Sequence, residues 1–241
     1  REEGSFDNYK EFNRQLTPQN VLVNLEDSNG RALWSLGFTL AHCEKLPLDL
    51  VQQDQKAWDK AVVHIHKVGS PRAIAYMLKG LYYYHLVHQE EDVKKSIVQL
   101  ADKLLNHYHI NSDKDWCWYE DYMTYANNVL PEAMLFSFLA TGDLKYKKIA
   151  LVTFDFLLSH YFMKGEFSVI SNRGWFVKGS HKNTYGEQPI EVATAIITLH
   201  LFYEITGNVK YKEQLKVAFS WFLGNNHLHQ IIYNPVNGAS Y

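Results

Sequence analysis

The sequence predicts an all-α fold, an α/α toroid of antiparallel helical hairpins, from two observations. The first is an internal repeat: TGDLKYKKIALVTFDFLLSHY begins at Thr141 and TGNVKYKEQLKVAFSWFLGNN begins at Thr206, an offset of 65 residues. A repeat of this length holds two helices and their loops. The second is an alternation between segments that are apolar on nearly all sides and segments that are apolar on one face. We therefore expect residues 1–241 to form a single toroid domain.

Four segments have the all-round apolar character of inner helices, which are covered by neighbours. They are RALWSLGFTLAH from Arg31, AIAYMLKGLYYYHLV from Ala73, VLPEAMLFSFLA from Val129 and IEVATAIITLHLFY from Ile190. Each is followed by an amphipathic, half-exposed outer helix. The predicted inner and outer pairs are 31–43 with 53–68, 71–88 with 91–109, 126–140 with 143–162, and 190–204 with 208–223. We expect an incomplete toroid, in which about four hairpins are present and the ring is open where hairpins are missing.

Turn residues agree with these boundaries. Ser70 and Pro71 supply an N-cap and a first-position proline, and Gly142 and Gly207 follow helix ends that require left-handed backbone. The polar, glycine-rich stretch 165–188 predicts a long loop or short hairpin. Loops of that length in compact domains are often functional.

Composition and motifs exclude several classes of function. The formal net charge is −2, so no strong field favours nucleic acid or an anionic membrane, and no apolar run approaches the roughly 20 residues of a membrane span. The first residues, REEGSFDNYK, lack a signal peptide, which favours a cytoplasmic location, although a removed leader stays open. We expect Cys43 and Cys117 to be reduced thiols. Neither the cysteines nor the histidine pairs have metal-ligand spacing, so we expect no metal. No phosphate loop, dinucleotide fingerprint or nucleophile elbow is present, and we expect no cofactor.

The chemistry concentrates where inner helices begin. In a toroid these helices all run the same way, so the loops before them gather on one face. Carboxylates stand there as Glu26-Asp27, as Glu120-Asp121, and as Glu187 with Glu191. The surrounding aromatic residues are Trp34, Trp116, Trp118, Tyr119, Tyr125, Trp175 and Tyr185. Aromatic rings stack on the apolar faces of sugars, and carboxylates and amides bind hydroxyls, so this mixture predicts a carbohydrate cleft.

Glycosidic bond cleavage needs one protonated and one ionised carboxyl group. We expect Glu120, Asp27 and Glu191 to be the catalytic candidates. The expected substrate-binding residues are Arg31, Trp116, Trp118, Asp121, Tyr125, Asn127, Trp175, Tyr185, Glu187 and Gln188. An alternative for Asp27, Glu120 and Glu191 is helix capping and stabilisation of the helix dipole. Arg31 could instead pair with Asp27.

The ordered motifs EDSNGRAL from Glu26, WYEDYMTYANNVLPEAML from Trp118, GEQPIEVATA from Gly186 and AFSWFLGNNH from Ala218 resemble the six-hairpin glycosidase-like α/α-toroid superfamily. Within it, the sequence is most similar to a poorly characterised bacterial domain attached to, or encoded near, glycosyltransferases. The resemblance covers most of the chain. It places three sets of residues on acidic motifs of that domain: Glu26, Asp27 and Arg31; Glu120, Tyr125, Asn127 and Pro131; and Gln188, Pro189 and Glu191.

The sequence departs from that domain at two places. Glu187 stands where the domain has glutamine, and the domain continues past the equivalent of Asn237-Gly238 into helices that carry another glutamate. Two hypotheses follow. The first is a glycoside hydrolase-like enzyme acting on an oligosaccharide or polysaccharide. The alternative is a non-catalytic glycan-binding or scaffolding domain that serves a glycosyltransferase.

Overall fold

The computed structural model describes residue 1, residues 3–163 and residues 166–239, and of Glu166 only the backbone. Gly165, at the start of the predicted long loop, lies outside the described residues. The chain is 62% helical with almost no strands, which confirms the predicted all-α class. No helix in the described part combines the length and the apolar character that crossing a membrane requires.

The α-helices of the described residues are α1 Gln19–Leu22, α2 Glu26–Ala41, α3 Leu48–Ala61, α4 Pro71–His88, α5 Glu91–Asn111, α6 Val129–Thr141, α7 Leu144–Tyr161, α8 Pro189–Thr206 and α9 Val209–Ser220. Short 3-10 helices cover Cys43–Lys45, Val62–Lys67 and Trp221–Leu223. Four two-residue strands complete the set: β1 Tyr122–Met123, β2 Phe162–Met163, β3 Glu166–Phe167 and β4 Phe176–Val177. β1 pairs antiparallel with β4, and β2 with β3.

The long helices from α2 to α9 occupy the eight predicted places, with two starts corrected. α2 begins at Glu26 rather than Arg31, because the side chain of Asn24 accepts a hydrogen bond from the amide of Glu26 at 2.7 Å and two acidic residues favour the first turn. α3 begins at Leu48, directly after Pro47. Glu26 and Asp27 therefore lie inside the first turn of α2 and not in the loop before it.

The chain divides into two compact units. The first unit comprises Arg1–His109 and Ala133–Ala150, and the second comprises Ile110–Glu132 and Leu151–Tyr241.

In the first unit, α2 and α4 pack with their backbones in close contact. A Cβ atom on Gly37 would lie 2.1 Å from the carbonyl oxygen of Gly80, and one on Gly80 would lie 2.5 Å from that of Leu33. No side chain fits at either position. This contact holds the start of α2 beside the start of α4, where the acidic residues of α2 lie.

In the second unit, α8 buries Glu191, Val192, Ala195, Thr198, Leu199 and Phe202. The ring of Phe154 from α7 lies 4.1 Å from that of Phe202. The prediction that α8 is covered on every side is wrong, because Ile190 and Ile197 are exposed on its other face. Hydrophobicity all round a helix shows that burial is tolerated, but it does not show which neighbour covers each face.

Candidate functional site

The two acidic residues at the start of α2 bind the loop before α4. Oε2 of Glu26 accepts hydrogen bonds from the amides of Gly69 at 2.9 Å and Ser70 at 2.6 Å. Oδ1 of Asp27 accepts a hydrogen bond from the hydroxyl of Ser70 at 2.7 Å, and that hydroxyl in turn caps α4 through the amide of Ala73. The loop before α4 is the one inner-helix start for which the sequence predicted no carboxylate. It is bound by two carboxylates from α2 instead. The carboxylate of Glu26 acts here as a structural anchor.

Further along α2, an open groove of about 360 Å³ is lined by Arg31, Trp34, Ser35 and Phe38. Trp34 and Arg31 form an aromatic and cationic group with Tyr76 and Lys79 of α4. Trp34 stacks on Tyr76 with 5.8 Å between the ring centroids, and Nζ of Lys79 lies 3.8 Å from the centroid of Trp34. The guanidinium of Arg31 lies 6.0 Å from the centre of the Tyr76 ring. This group of the first unit could bind the face of a sugar ring.

In the second unit, Glu191 binds the loop before α6. Its Oε1 accepts a hydrogen bond from the backbone amide of Ala126, a residue with a φ of +49°. The side chain of Asn127 makes two hydrogen bonds with the backbone of Thr124. Its oxygen accepts from the Thr124 amide at 3.0 Å, and its nitrogen donates to the Thr124 carbonyl at 2.8 Å. Asn127 is fully buried, so its predicted contact with substrate is wrong: its amide group shapes this loop.

Burial also contradicts two of the predicted sugar platforms. Trp118 has no exposed surface, and Trp116 is buried against Phe156 and Phe176 while its indole N–H donates to the carbonyl of Glu120 at 2.7 Å. Tyr119 is equally buried. The aromatic residues around Glu120 are therefore mostly the core of this loop, because a long segment without helices needs large side chains to fill the space beneath it.

The adjacent carboxylates Glu120 and Asp121 have different surroundings. The residue Glu120 is 9% exposed, whereas the side chain of Asp121 is 67% exposed and lies 3.9 Å from Nζ of Lys178. Asp121 is fixed through its backbone, because its carbonyl accepts the amide of Lys178 at 2.8 Å. The two adjacent residues therefore differ in exposure: Glu120 is buried, and the carboxylate of Asp121 lies in solvent.

An exposed aromatic residue, Tyr122, directly follows Glu120 and Asp121 in the sequence. The pairing of β1 with β4 brings Tyr122 beside Trp175, whose rings stack at 5.6 Å and 25°. Trp175, Tyr125 and Tyr185 are exposed, as a sugar platform requires. Sequence analysis missed Tyr122, because a two-residue strand gives no alternation pattern that could have revealed it.

Glu187, predicted to bind substrate, is buried and already bound to two other side chains. Its Oε2 accepts from the indole N–H of Trp221 at 3.1 Å and lies 3.1 Å from Nδ1 of His227. Burial raises the pKa of the Glu187 carboxyl group, while Trp221, His227 and Lys182 act in the opposite direction. Direct binding of a sugar by Glu187 is therefore contradicted. Sequence analysis missed Trp221 and His227, which lie more than 30 residues away along the chain.

Two nearby residues complete the description of this region. Gln188 is half-buried at the N-cap of α8, without a capping hydrogen bond from its side chain. Burial lowers the pKa of Lys182 to about 8, and its ammonium group donates to the carbonyls of His160 at 2.8 Å and Ser168 at 2.6 Å.

Among the described residues, no group of three His, Cys, Asp or Glu side chains could hold a metal ion.

The fold matches that of a known carbohydrate enzyme. No family model matches the chain, and no curated protein matches it in sequence. The structure is similar to the crystal structure of an unsaturated glucuronyl hydrolase specific for heparin, with a TM-score of 0.66 at 12% sequence identity. The match covers 92% of this chain, which spans 62% of the length of that hydrolase. The predicted all-α class and α/α toroid fold are thereby confirmed.

Proposed function

We propose that this protein is a carbohydrate-active hydrolase that cleaves glycosidic bonds in an oligosaccharide or polysaccharide. The observation that carries the proposal is the position of two carboxylic residues, the buried Glu120 and the solvent-exposed Asp121, directly before the exposed Tyr122–Trp175 stack. Similarity to the fold of a glucuronyl hydrolase supports the same class of chemistry. A substrate sugar would lie on the aromatic stack with its scissile oxygen toward Glu120.

Glu120 is the first candidate for the acid–base residue, and Asp27 and Glu191 are the other two carboxylates to test. The carboxylates of Asp27 and Glu191 accept hydrogen bonds from Ser70 and Ala126. Arg31 with Trp34, and Tyr125 with Tyr185, supply sugar-binding surface.

The alternative is a non-catalytic glycan-binding domain that serves a bacterial glycosyltransferase. One observation favours it: the carboxylates of Glu26 and Glu191 hold backbone amides of neighbouring loops, which is a structural role. Both functions use the exposed aromatic rings, but only the hydrolase needs a carboxyl group that transfers protons.

A screen of the wild-type protein separates the two functions. The protein is incubated with a panel of neutral, amino and uronic-acid-containing oligosaccharides, and new reducing ends and binding are measured in parallel. The hydrolase proposal predicts product release from at least one oligosaccharide that binds. Binding without any product release would overturn it in favour of the glycan-binding alternative.

A further inference from the structure

The short segment after α9 carries a histidine whose ring is held by a buried carboxylate. Nδ1 of His227 lies 3.1 Å from Oε2 of Glu187, and the two side chains are 17% and 2% exposed. The same Oε2 accepts from the indole of Trp221, at the other end of this segment. The described residues provide no hydrogen bond to Nε2 of His227, the ring nitrogen that faces away from Glu187.

The backbone around His227 is rigidly fixed by its neighbour, Asn226. The buried amide of Asn226 donates to the carbonyls of Trp221 at 2.8 Å and Gln230 at 2.7 Å, and its oxygen accepts from the amide of Leu228 at 3.0 Å. Such a network preorganises a side chain better than a mobile loop does. The position of His227 is therefore set before any ligand arrives.

The geometry of Glu187 selects one form of the imidazole. An ionised carboxylate can only accept hydrogen bonds, so Nδ1 of His227 must carry the proton that joins them. In the neutral ring Nε2 then keeps its lone pair and can take a proton, which is how a carboxylate orients a histidine base in many hydrolases. Oε1 of Glu187 has no hydrogen-bond partner among the described residues.

We propose that His227 is an acid–base residue of this protein, with Glu187 as its positioning residue; the inference rests on the proposed hydrolase function. The ring of Tyr185, which is 68% exposed, meets that of His227 edge-on at 5.4 Å and would supply a sugar platform beside this histidine. The carboxylate of Glu187 supplies the charge that fixes the tautomer of His227.

The proton transfers balance as follows. Nε2 of His227 takes a proton from a water molecule as the water oxygen bonds to the anomeric carbon. The bond between that carbon and the glycosidic oxygen breaks, and the oxygen leaves with a proton from Glu120. His227 then releases its proton to solvent and Glu120 regains one, so the net reaction consumes one water and yields two hydroxyl groups.

Two titratable groups besides His227 interact electrostatically with Glu187. They are Lys182, in the same loop, and Tyr161 of α7. Burial, followed by the charges of Glu191 and then Glu187, raises the pKa of Tyr161 well above its ordinary range.

The first arm of the test needs no glycan. The protein is labelled with ¹⁵N-histidine, and the resonances of His227 are assigned by their loss in His227→Asn. We expect the neutral ring to carry its proton on Nδ1 in the wild type, and this preference to weaken in Glu187→Gln. A neutral ring protonated on Nε2 would overturn the inference.

The second arm measures turnover and its pH dependence on an oligosaccharide that the wild type cleaves. His227→Asn keeps a donor for Glu187 but removes Nε2, so we expect kcat to fall about 10²–10⁴-fold with KM little changed, and the loss of rate at acidic pH to disappear. His229→Asn, two residues away, is the matched control and should behave as the wild type.

The outcomes are distinguishable. If the wild type and His227→Asn cleave equally well while Glu120→Gln does not, the hydrolase proposal stands and the role of His227 falls. If the wild type cleaves no oligosaccharide in the panel, both proposals fall together.

Discussion

The backbone amide of Ala126 donates a hydrogen bond to the carboxylate of Glu191, so an acid in the first turn of α8 fixes the loop before α6. The first unit has the same relationship, where Glu26 in the first turn of α2 accepts from the amide of Ser70 before α4. In both places a carboxylate in the first turn of one inner helix binds the loop that precedes another inner helix. In the second unit, the anchored loop is the one that carries Glu120 and Tyr125.

Replacement of Glu191 tests this anchoring. Glu191→Ala leaves the amide of Ala126 without its acceptor in a buried place, so we expect the free energy of unfolding to fall by about 1–3 kcal/mol. Glu204→Ala on the same helix removes a half-exposed carboxylate and should change it by less than about 0.5 kcal/mol. Urea unfolding of both variants measures the difference, and equal effects would contradict the anchoring role.

Two tryptophans that look alike in the sequence should behave oppositely. Trp118 is fully buried, so Trp118→Ala should lower the free energy of unfolding by about 3–5 kcal/mol. Trp175 is 47% exposed and stacks on Tyr122, so Trp175→Ala should cost much less stability but weaken binding of a glycan. Thermal unfolding and glycan titration of both variants check this. A stable Trp118→Ala protein that no longer binds glycan would restore the original interpretation of Trp118 as a platform.

The sequence predicted those features that depend on residues close together in the chain, and not those that depend on contacts between distant segments. The helices were predictable because the apolar period and the turn residues are local: Ser70 and Pro71 mark the start of α4 as expected, and Gly207 has the left-handed φ at the end of α8. The roles of Trp116 and Asn127 were not predictable in this way. Their partners are Phe176, in the two-residue strand β4, and Thr124, in the loop after β1, and neither segment is long enough to show a periodic pattern.

The carboxylates show the same limit. An acid at a helix start could cap its own helix, bind a neighbouring loop or face a ligand, and all three produce one sequence pattern. Glu26 and Glu191 bind neighbouring loops, whereas Glu187 binds a histidine that is 40 residues further along the chain. Only the folded chain separates these roles, because each depends on which distant segment packs against the helix start.

Lys182 should make stability depend on alkaline pH. Its folded-state pKa of about 8 lies below that of an unfolded lysine, about 10.4, so between these values the unfolded chain binds more protons than the folded one. Stability contributed by this group therefore rises with pH across that window, by at most about 1.4 kcal/mol per pH unit. Lys182→Met should lack this rise. Urea unfolding between pH 7 and 11 tests it, and parallel curves for the two proteins would contradict the burial of the charge.

Turnover by Glu120→Gln on an oligosaccharide that the wild type cleaves tests the central proposal most directly. The amide keeps the shape of the side chain and most of its hydrogen bonding but cannot transfer a proton, so we predict that binding persists while kcat falls roughly 10²–10⁴-fold. Asp115→Asn, an exposed acid in the same loop, is the matched control and should retain wild-type turnover. Glu120→Gln with a kcat equal to that of the wild type would contradict the assignment of Glu120 as the acid–base residue.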